Sequence, residues 1–353
     1  IRDSFHTYEG VVKALDKVSL SMQHGMTFGL VGESGCGKSV TVRSMMRIIQ
    51  EPGRVEGGRI LFHPAPVKET ESIDLLQQPE SYMQELRGDS ISMIFQEPNA
   101  ALNPIMEVGD QVAESFLFHR KKEMCKKIIV DLQAPGCRMV YPLKSALLYL
   151  YRLAENNPDA PILWAIGKIP LLKRWDRRLR QEALRRSIAI IEKLGIPNAA
   201  EIIQRYPHQL SGGMKQRVVI AIALACNPIL LIADEATSNL DVTIQAQILE
   251  LLRELKQQEI SSVLLITHDL GVVAETCDRV GVMYAGQLCE VADVKSLFHS
   301  PRHPYSQALL NSVPKLTQKG PLESIEGKVP NLVAQPPGCR FHPRCPHEMN
   351  ACR

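Results

Sequence analysis

The stretch Gly32-Glu-Ser-Gly-Cys-Gly-Lys-Ser39 decides the fold of this chain. It follows the apolar run Met26–Val31, which predicts a buried strand, and precedes residues 39–49, whose apolar positions recur with a helical period. A glycine-rich loop between a strand and a helix fits the G-x-x-x-x-G-K-[ST] pattern of a phosphate-binding loop. Its glycines allow consecutive backbone N–H groups to surround phosphate oxygens, and the helix N-terminus adds partial positive charge.

The loop supplies the first half of a predicted nucleotide site. Lys38 is expected to neutralise the β- and γ-phosphates, and the Ser39 hydroxyl is expected to ligate Mg²⁺. A chance match in a glycine-rich turn is the alternative, and the flanking strand and helix disfavour it. The residues expected to bind the nucleotide here are Gly32, Ser34, Gly35, Cys36, Gly37, Lys38, Ser39 and Val40.

The composition limits the classes of protein to which the chain can belong. With 353 residues, 45% of them hydrophobic and 22% charged, the chain is expected to form two domains, or one large domain with an appendage. These values exclude a disordered chain, a collagen-like repeat and a coiled coil, and a net charge of +3 is too small to indicate an obligatory nucleic-acid partner. No apolar run approaches the ~18 residues of a membrane span, which predicts a soluble protein. Most of the nine cysteines have apolar or glycine-rich neighbours, which predicts free thiols in a reducing compartment.

A pair of carboxylates supplies the second half of the predicted site. The apolar run 229–233 predicts a buried strand, and Asp234 and Glu235 follow it directly. Asp234 is expected to hold Mg²⁺, and Glu235 to polarise a water in line with the γ-phosphate. Adjacent carboxylates could instead begin the next helix, a reading that the nearby phosphate loop disfavours.

The segment Leu210-Ser-Gly-Gly-Met-Lys-Gln-Arg217 is the most discriminating motif. Ser211, Gly212 and Gly213 open a long predicted helix, whose N-terminus is a second anion site. The arrangement resembles that of the ABC-type ATPases, in which this signature closes over the ATP held by the phosphate loop of a partner subunit.

The resemblance assigns roles to further residues in the family's order. It implies that Gln96 senses the γ-phosphate and Mg²⁺, that His268 orients the attacking water with Glu235, and that Asp241 lies at the dimer seam. Tyr8 precedes the first predicted strand hairpin at about the offset of an adenine-stacking aromatic, although simple edge packing is an alternative for this side chain.

The C-terminal region indicates which group of ABC-type ATPases the chain resembles. Residues 301–313 and 339–352 resemble the C-terminal extension of the ATP-binding subunits of oligopeptide/dipeptide importers, in which four cysteines hold a [4Fe–4S] cluster. Three are present here, Cys339, Cys345 and Cys352, so a fourth ligand is expected outside this chain segment. A zinc site and ordinary cytosolic thiols are the alternatives.

An unusually long basic insertion lies at about residues 120–180. Residues 119–186 contain 16 Lys and Arg against 6 Asp and Glu, interleaved with apolar stretches that carry Tyr149, Tyr151, Trp164 and Trp175. The insertion could lie near anionic lipid headgroups, or it could be a helical hairpin that packs on the protein with its charges solvated.

These features predict an α/β fold: a P-loop NTPase core of the ABC ATPase type, with an antiparallel β-subdomain, a helical subdomain and a cysteine-containing C-terminal extension. We divide the chain into a first core segment, 1–105; the helical subdomain with the insertion and the signature, 106–226; a second core segment, 227–298; and the extension, 299–353.

The resemblance implies an ATP hydrolase that powers a di- or oligopeptide importer by ATP-driven dimerisation with a second, paralogous subunit. Its expected partners are two membrane permease subunits at the cytoplasmic face of the cell membrane and, indirectly, an extracytoplasmic peptide-binding protein; no nucleic acid is expected. Import of nickel, glutathione or oligosaccharide remains an alternative, as does a soluble ABC ATPase that acts on nucleic acid or ribosomes.

Overall fold

The computed structural model describes residues 1–8, 10–64, 72–134, 139, 141–157, 160–161, 163, 175–236, 242–258, 262–313 and 325–353. These residues divide into two compact units. The first combines Ile1–Gln96 with Pro228–Arg353, and the second is Glu97–Asn227. The four-part division drawn from the sequence stays a prediction.

Strands and helices are numbered in chain order. The strands are β1 (Arg2–Thr7), β2 (Gly10–Leu15), β3 (Thr27–Val31), β4 (Gly53–Gly57), β5 (Leu61–Phe62), β6 (Ile73–Asp74), β7 (Ile91–Ile94), β8 (Leu230–Asp234), β9 (Ser262–Ile266), β10 (Arg279–Tyr284) and β11 (Gln287–Asp293). The helices are α1 (Lys38–Met45), α2 (Glu80–Leu86), α3 (Pro98–Ala101), α4 (Val108–His119), α5 (Lys121–Gln133), α6 (Tyr141–Asn156), α7 (Asp176–Lys193), α8 (Ala199–Ile202), α9 (Gly212–Leu224), α10 (Val242–Gln258), α11 (Leu270–Thr276), α12 (Val294–His299) and α13 (Pro304–Asn311).

The main sheet of the first unit has the strand order β11-β10-β3-β9-β8-β7. Strands β10, β3, β9, β8 and β7 are parallel, and β11 pairs antiparallel with β10 at one edge. All residues of β3, β7 and β9 are buried, which is typical of parallel strands covered on both faces. The carboxyl ends of the parallel strands therefore lie along one edge of the sheet.

A three-stranded antiparallel sheet, β2-β1-β4, forms the β-subdomain. Apolar and polar side chains alternate over residues 18–22, which predicts a further strand; this prediction is wrong, because no sheet pairing is formed there. Val18 instead exchanges single backbone hydrogen bonds with Ile1, at 2.6 and 3.1 Å. The alternating pattern reflects alternate burial of an extended segment, and period-two alternation cannot tell such a segment from a paired strand.

The helices of the second unit include the described part of the basic insertion, in which α5 packs against α6 and α7. Tyr151 and Trp175 are buried, and the Tyr151 hydroxyl donates a hydrogen bond to the Trp175 carbonyl oxygen. Neither ring is therefore available to a lipid surface, which corrects that part of the headgroup interpretation. Tyr149 is exposed, and Trp164 lies outside the described residues.

Part of the positive charge of residues 119–186 is paired within the same unit. The buried carboxylate of Glu182 on α7 accepts from Lys127 at 3.0 Å, from Arg185 at 2.9 Å and from Arg186 at 3.2 Å. Three cations around one buried carboxylate compensate its desolvation. These contacts favour the packed-hairpin interpretation.

Among the helices of the described segments, none combines the length and apolar character that crossing a bilayer requires.

Candidate functional site

The loop between β3 and α1 has the backbone that its glycines predict. Gly32 has φ +151° and Gly37, which caps the N-terminus of α1, has φ +101°. A Cβ at Gly32 would lie 2.1 Å from the Met283 carbonyl oxygen. Glycine is therefore required at this position for two reasons, the left-handed backbone and the lack of space.

Lys38 is buried at the first turn of α1 and bends back over the loop. Its Nζ donates to the Gly32 carbonyl oxygen at 2.7 Å and to the Glu33 carbonyl oxygen at 3.0 Å. These bonds hold the ammonium group among backbone atoms of the predicted phosphate loop. Ser34 and Gly35 are exposed, while Cys36 is buried, and burial raises the pKa of its thiol.

Ser39 and Asp234 meet although 195 positions separate them in the sequence. The Ser39 hydroxyl donates to Asp234 Oδ1 at 2.9 Å. Asp234 ends β8 and is buried; burial raises its pKa, and the hydrogen bond from Ser39 acts in the opposite direction. A hydroxyl beside a carboxylate is an oxygen donor set that suits Mg²⁺.

Glu235 is held in an unusual conformation at the same edge of the sheet. Its φ is +48°, and its backbone N–H donates to the carbonyl oxygen of Ile266, the last residue of β9, at 3.0 Å. The left-handed region is costly for a residue other than glycine, and such conformations cluster at functional sites. The sequence gives no sign of this conformation.

Two further predicted residues contact the Glu235 carboxylate. Gln96, just after β7, donates from Nε2 to Glu235 Oε2 at 2.8 Å, and His268 Nδ1, just after β9, lies 3.7 Å from Oε1. The carboxylate is mostly buried and the imidazole mostly exposed. A carboxylate oriented in this way can polarise a water molecule or accept its proton.

The other residues predicted to bind nucleotide are Tyr8, the segment Ser211–Gly213 and Asp241. Tyr8 lies between β1 and β2 and is fully exposed, so the alternative of edge packing was wrong. In the second unit, Ser211 caps α9 by accepting from Met214 N–H at 3.3 Å, and Gly212 and Gly213 form the first turn. Asp241 lies outside the described residues.

The three C-terminal cysteines share a small folded segment but do not form a ligand cluster. Cys339 N–H donates to the Cys352 carbonyl oxygen at 2.9 Å, and all three thiols are free and partly buried. Among the residues that the structure describes, no group of three or more His, Cys, Asp or Glu side chains could hold a metal ion. The arrangement of the thiols therefore gives no support for a [4Fe–4S] cluster.

Three residues at the phosphate loop were missed by the sequence analysis: Glu33, Tyr305 and Arg344. Arg344 forms an ion pair with Glu33 at 2.8 Å, and Glu33 N–H donates to the Tyr305 hydroxyl at 3.0 Å. Arg344 lies within the C-terminal stretch that carries the resemblance, yet no local pattern links it to a loop more than three hundred residues earlier.

Comparison with protein families gives two matches that together cover most of the chain. Residues 15–238 match the family described as "ABC transporter". Residues 289–352 match "Oligopeptide/dipeptide transporter, C-terminal region".

Similar curated proteins align along nearly the whole chain. The dipeptide transport ATP-binding protein DppD of Bacillus subtilis is 43% identical over 351 residues, which cover 99% of this chain and 86% of that protein. The oligopeptide transport ATP-binding protein OppD of Salmonella typhimurium is 38% identical over 353 residues, covering 100% and 86% respectively.

Solved structures share the fold at lower sequence identity. The ATP-binding cassette MJ0796, solved as a dimer with ADP and Pi, superposes with a TM-score of 0.55 at 20% identity, covering 83% of this chain and 96% of that one. The cbiO1 protein of Clostridium perfringens, part of the cbiONQ transporter complex, gives a TM-score of 0.54 at 22% identity, covering 85% and 91%. The predicted α/β fold of the ABC ATPase type is confirmed.

We expect Gly32→Ala to weaken nucleotide binding by at least about tenfold, because the added Cβ cannot fit beside Met283 without moving the loop. Titration with a fluorescent nucleotide would measure the change. Gly57→Ala is the matched control, since a Cβ there meets nothing within 4 Å. Unchanged affinity in Gly32→Ala would contradict the role of this loop.

Proposed function

The chain belongs to the ABC transporter family, and we propose that within it this protein is the ATP-hydrolysing subunit of a dipeptide or oligopeptide importer. The observation that carries the proposal is the combination of the polar cluster at the sheet edge with a C-terminal region of the oligopeptide/dipeptide transporter type. The names of the curated relatives, which are dipeptide and oligopeptide transport ATP-binding proteins, support the same substrate class.

In this proposal, the loop from Gly32 to Val40 binds the phosphates of ATP. Lys38 exchanges its bonds to loop carbonyl oxygens for bonds to the β- and γ-phosphates. Ser39 and Asp234 would hold Mg²⁺, which neutralises phosphate charge when it is bound. Tyr8 is available to stack on adenine because its side chain is fully exposed.

Hydrolysis depends on Glu235. Its carboxylate polarises the attacking water, and His268, whose Nδ1 lies 3.7 Å from Oε1 of this carboxylate, orients that water. Gln96 donates to the same carboxylate, so contact of Gln96 with the γ-phosphate would change the position of the base. Binding and catalysis are thereby coupled through one hydrogen bond.

The active assembly in this proposal is a dimer of cassettes. Ser211, Gly212 and Gly213 present the N-terminus of α9, a helix of 13 residues, as an anion site for the ATP of a partner subunit. Asp241 would lie at the seam. We infer a paralogous partner subunit, and two permease subunits that hold the pair at the cytoplasmic face of the membrane.

We expect Glu235→Gln to bind ATP but to hydrolyse it about 10²–10⁴-fold more slowly, because the amide cannot polarise or deprotonate water. Steady-state phosphate release and nucleotide affinity should be measured together. Glu275→Gln, which alters an exposed carboxylate paired with Arg253, is the matched control. Turnover close to that of the native protein would rule out Glu235 as the base.

The transported solute is tested in proteoliposomes that contain the subunit, its permeases and its binding protein. We expect di- and oligopeptides to stimulate ATP hydrolysis and to be taken up, with no uptake when the subunit carries Glu235→Gln. Nickel, glutathione and oligosaccharide are the comparison solutes. Stimulation of ATP hydrolysis by one of these solutes but not by peptides would show that the protein serves an importer of that solute.

A [4Fe–4S] cluster on Cys339, Cys345 and Cys352 stays a prediction from the resemblance, and the thiol arrangement gives it no support. If the cluster forms, anaerobically purified protein should contain iron and sulfide and absorb broadly near 400 nm, on the order expected of iron–thiolate charge transfer. Cys36→Ser, which alters a buried thiol of the phosphate loop, should leave the iron content unchanged. Protein without iron, or with stoichiometric zinc, would decide against the cluster.

A further inference from the structure

Glu33 connects the phosphate loop to the C-terminal region. Its carboxylate pairs with both terminal nitrogens of Arg344, Oε2 with Nη1 at 2.8 Å and Oε1 with Nη2 at 3.2 Å. The Arg344 side chain is 6% exposed and that of Glu33 is 25% exposed. A bidentate pair shielded in this way is geometrically specific and weakly screened by salt.

The backbone of Glu33 is held as well as its side chain. Glu33 N–H donates to the hydroxyl of Tyr305, a fully buried residue of α13, at 3.0 Å. The Glu33 carbonyl oxygen accepts from Lys38 Nζ at 3.0 Å and from Cys36 N–H at 3.3 Å. Glu33 therefore connects two residues of the C-terminal region to the lysine expected to bind phosphate.

Arg344 is itself fixed by several contacts. Its guanidinium donates to the carbonyl oxygens of Ile325 and Glu326 at 3.1 and 2.8 Å and to the Tyr284 hydroxyl at 3.1 Å. It also lies 5.7 Å from the centre of the Tyr284 ring. Tyr284, Tyr305 and Phe341 pack together, with ring centres 4.6–5.2 Å apart. The cation is therefore ordered independently of Glu33.

We propose that Arg344 and Tyr305 form a clamp that positions the phosphate loop, so that the C-terminal region sets the affinity of this subunit for ATP. The proposal rests on the proposed ATPase function of the same site. The clamp acts in two ways: it fixes the loop backbone before nucleotide arrives, which reduces the ordering cost of binding, and it neutralises a carboxylate beside a polyanionic ligand. Arg344 is a positioning residue, since it acts through Glu33.

Neutralisation of the Glu33 carboxylate by Arg344 predicts how single and double variants should differ in ATP affinity. Removing the Arg344 charge leaves an unpaired carboxylate in the loop, and a negative charge there opposes the binding of ATP. Removing that carboxylate as well eliminates the repulsion. A merely structural role would instead lower the melting temperature of the single variants and leave the ATP affinity of the folded protein unchanged.

The test compares four forms of the full chain: native, Arg344→Gln, Glu33→Gln and the double variant. ATP affinity is measured by titration with a fluorescent ATP analogue, and kcat is measured at saturating ATP. We expect Arg344→Gln to weaken ATP binding roughly tenfold with kcat within about twofold of native, and the double variant to recover most of that affinity. An Arg344→Gln variant that binds like the native protein, or a double variant as weak as the single one, would overturn the clamp.

Two further variants separate the clamp from general instability. Arg340→Gln is the matched control, because Arg340 is a buried arginine of the same segment whose partners, Asp16 and the Ala285 carbonyl oxygen, lie outside the loop. It should lower the melting temperature and leave ATP affinity unchanged; a tenfold loss of affinity in this variant would assign the effect to instability.

Tyr305→Phe keeps the ring and removes only the acceptor for Glu33 N–H. We therefore expect a loss of ATP affinity of a few-fold, and an unchanged affinity would exclude Tyr305 from the clamp.

Measurements on the native protein distinguish a failure of the proposed function from a failure of the clamp. If it neither binds nor hydrolyses ATP, the proposed function fails. If it does both while the Arg344 and Glu33 variants match it, only the clamp fails.

Discussion

The parallel sheet is buried on both faces, so each of its backbone N–H and C=O groups must find a partner in a neighbouring strand. In the register that the strands adopt, Leu264 of β9 lies between Phe28 of β3 and Ile232 of β8. With the register fixed, the carboxyl ends of the strands are aligned, and the segments that follow them must share one edge. The polar cluster around Asp234 and Glu235 is a consequence of that alignment.

The phosphate loop and the acidic end of β8 could be predicted from the sequence, because short continuous sequence patterns specify them. A loop of glycines between an apolar strand and a helix has few physical interpretations, and the buried strand β8 ends at Asp234 as its apolar run indicates. The helix after the loop is shorter than predicted, since α1 ends at Met45 and Arg47 adopts φ +51°. Period and propensity give the existence of an element more reliably than its boundary.

The parts that could not be predicted depend on partners distant in the chain. Whether residues 18–22 join a sheet depends on a free neighbouring edge, which alternation does not encode. Tyr151 and Trp175 could equally line a surface or a core until the packing of α5, α6 and α7 is known. The left-handed backbone of Glu235 and the pairing of Glu33 with Arg344 arise from tertiary contacts alone, so no sequence window around either residue indicates them.

The separation of Glu33 and Arg344 by 311 positions has a consequence for synthesis. A ribosome adds about 5–20 residues per second, so the loop is made about 15–60 s before the arginine that holds it. Throughout that interval the nascent chain carries the loop with its carboxylate unpaired. A translation product that stops before Arg344 contains the sheet edge and the phosphate loop but never acquires the contact between Glu33 and Arg344.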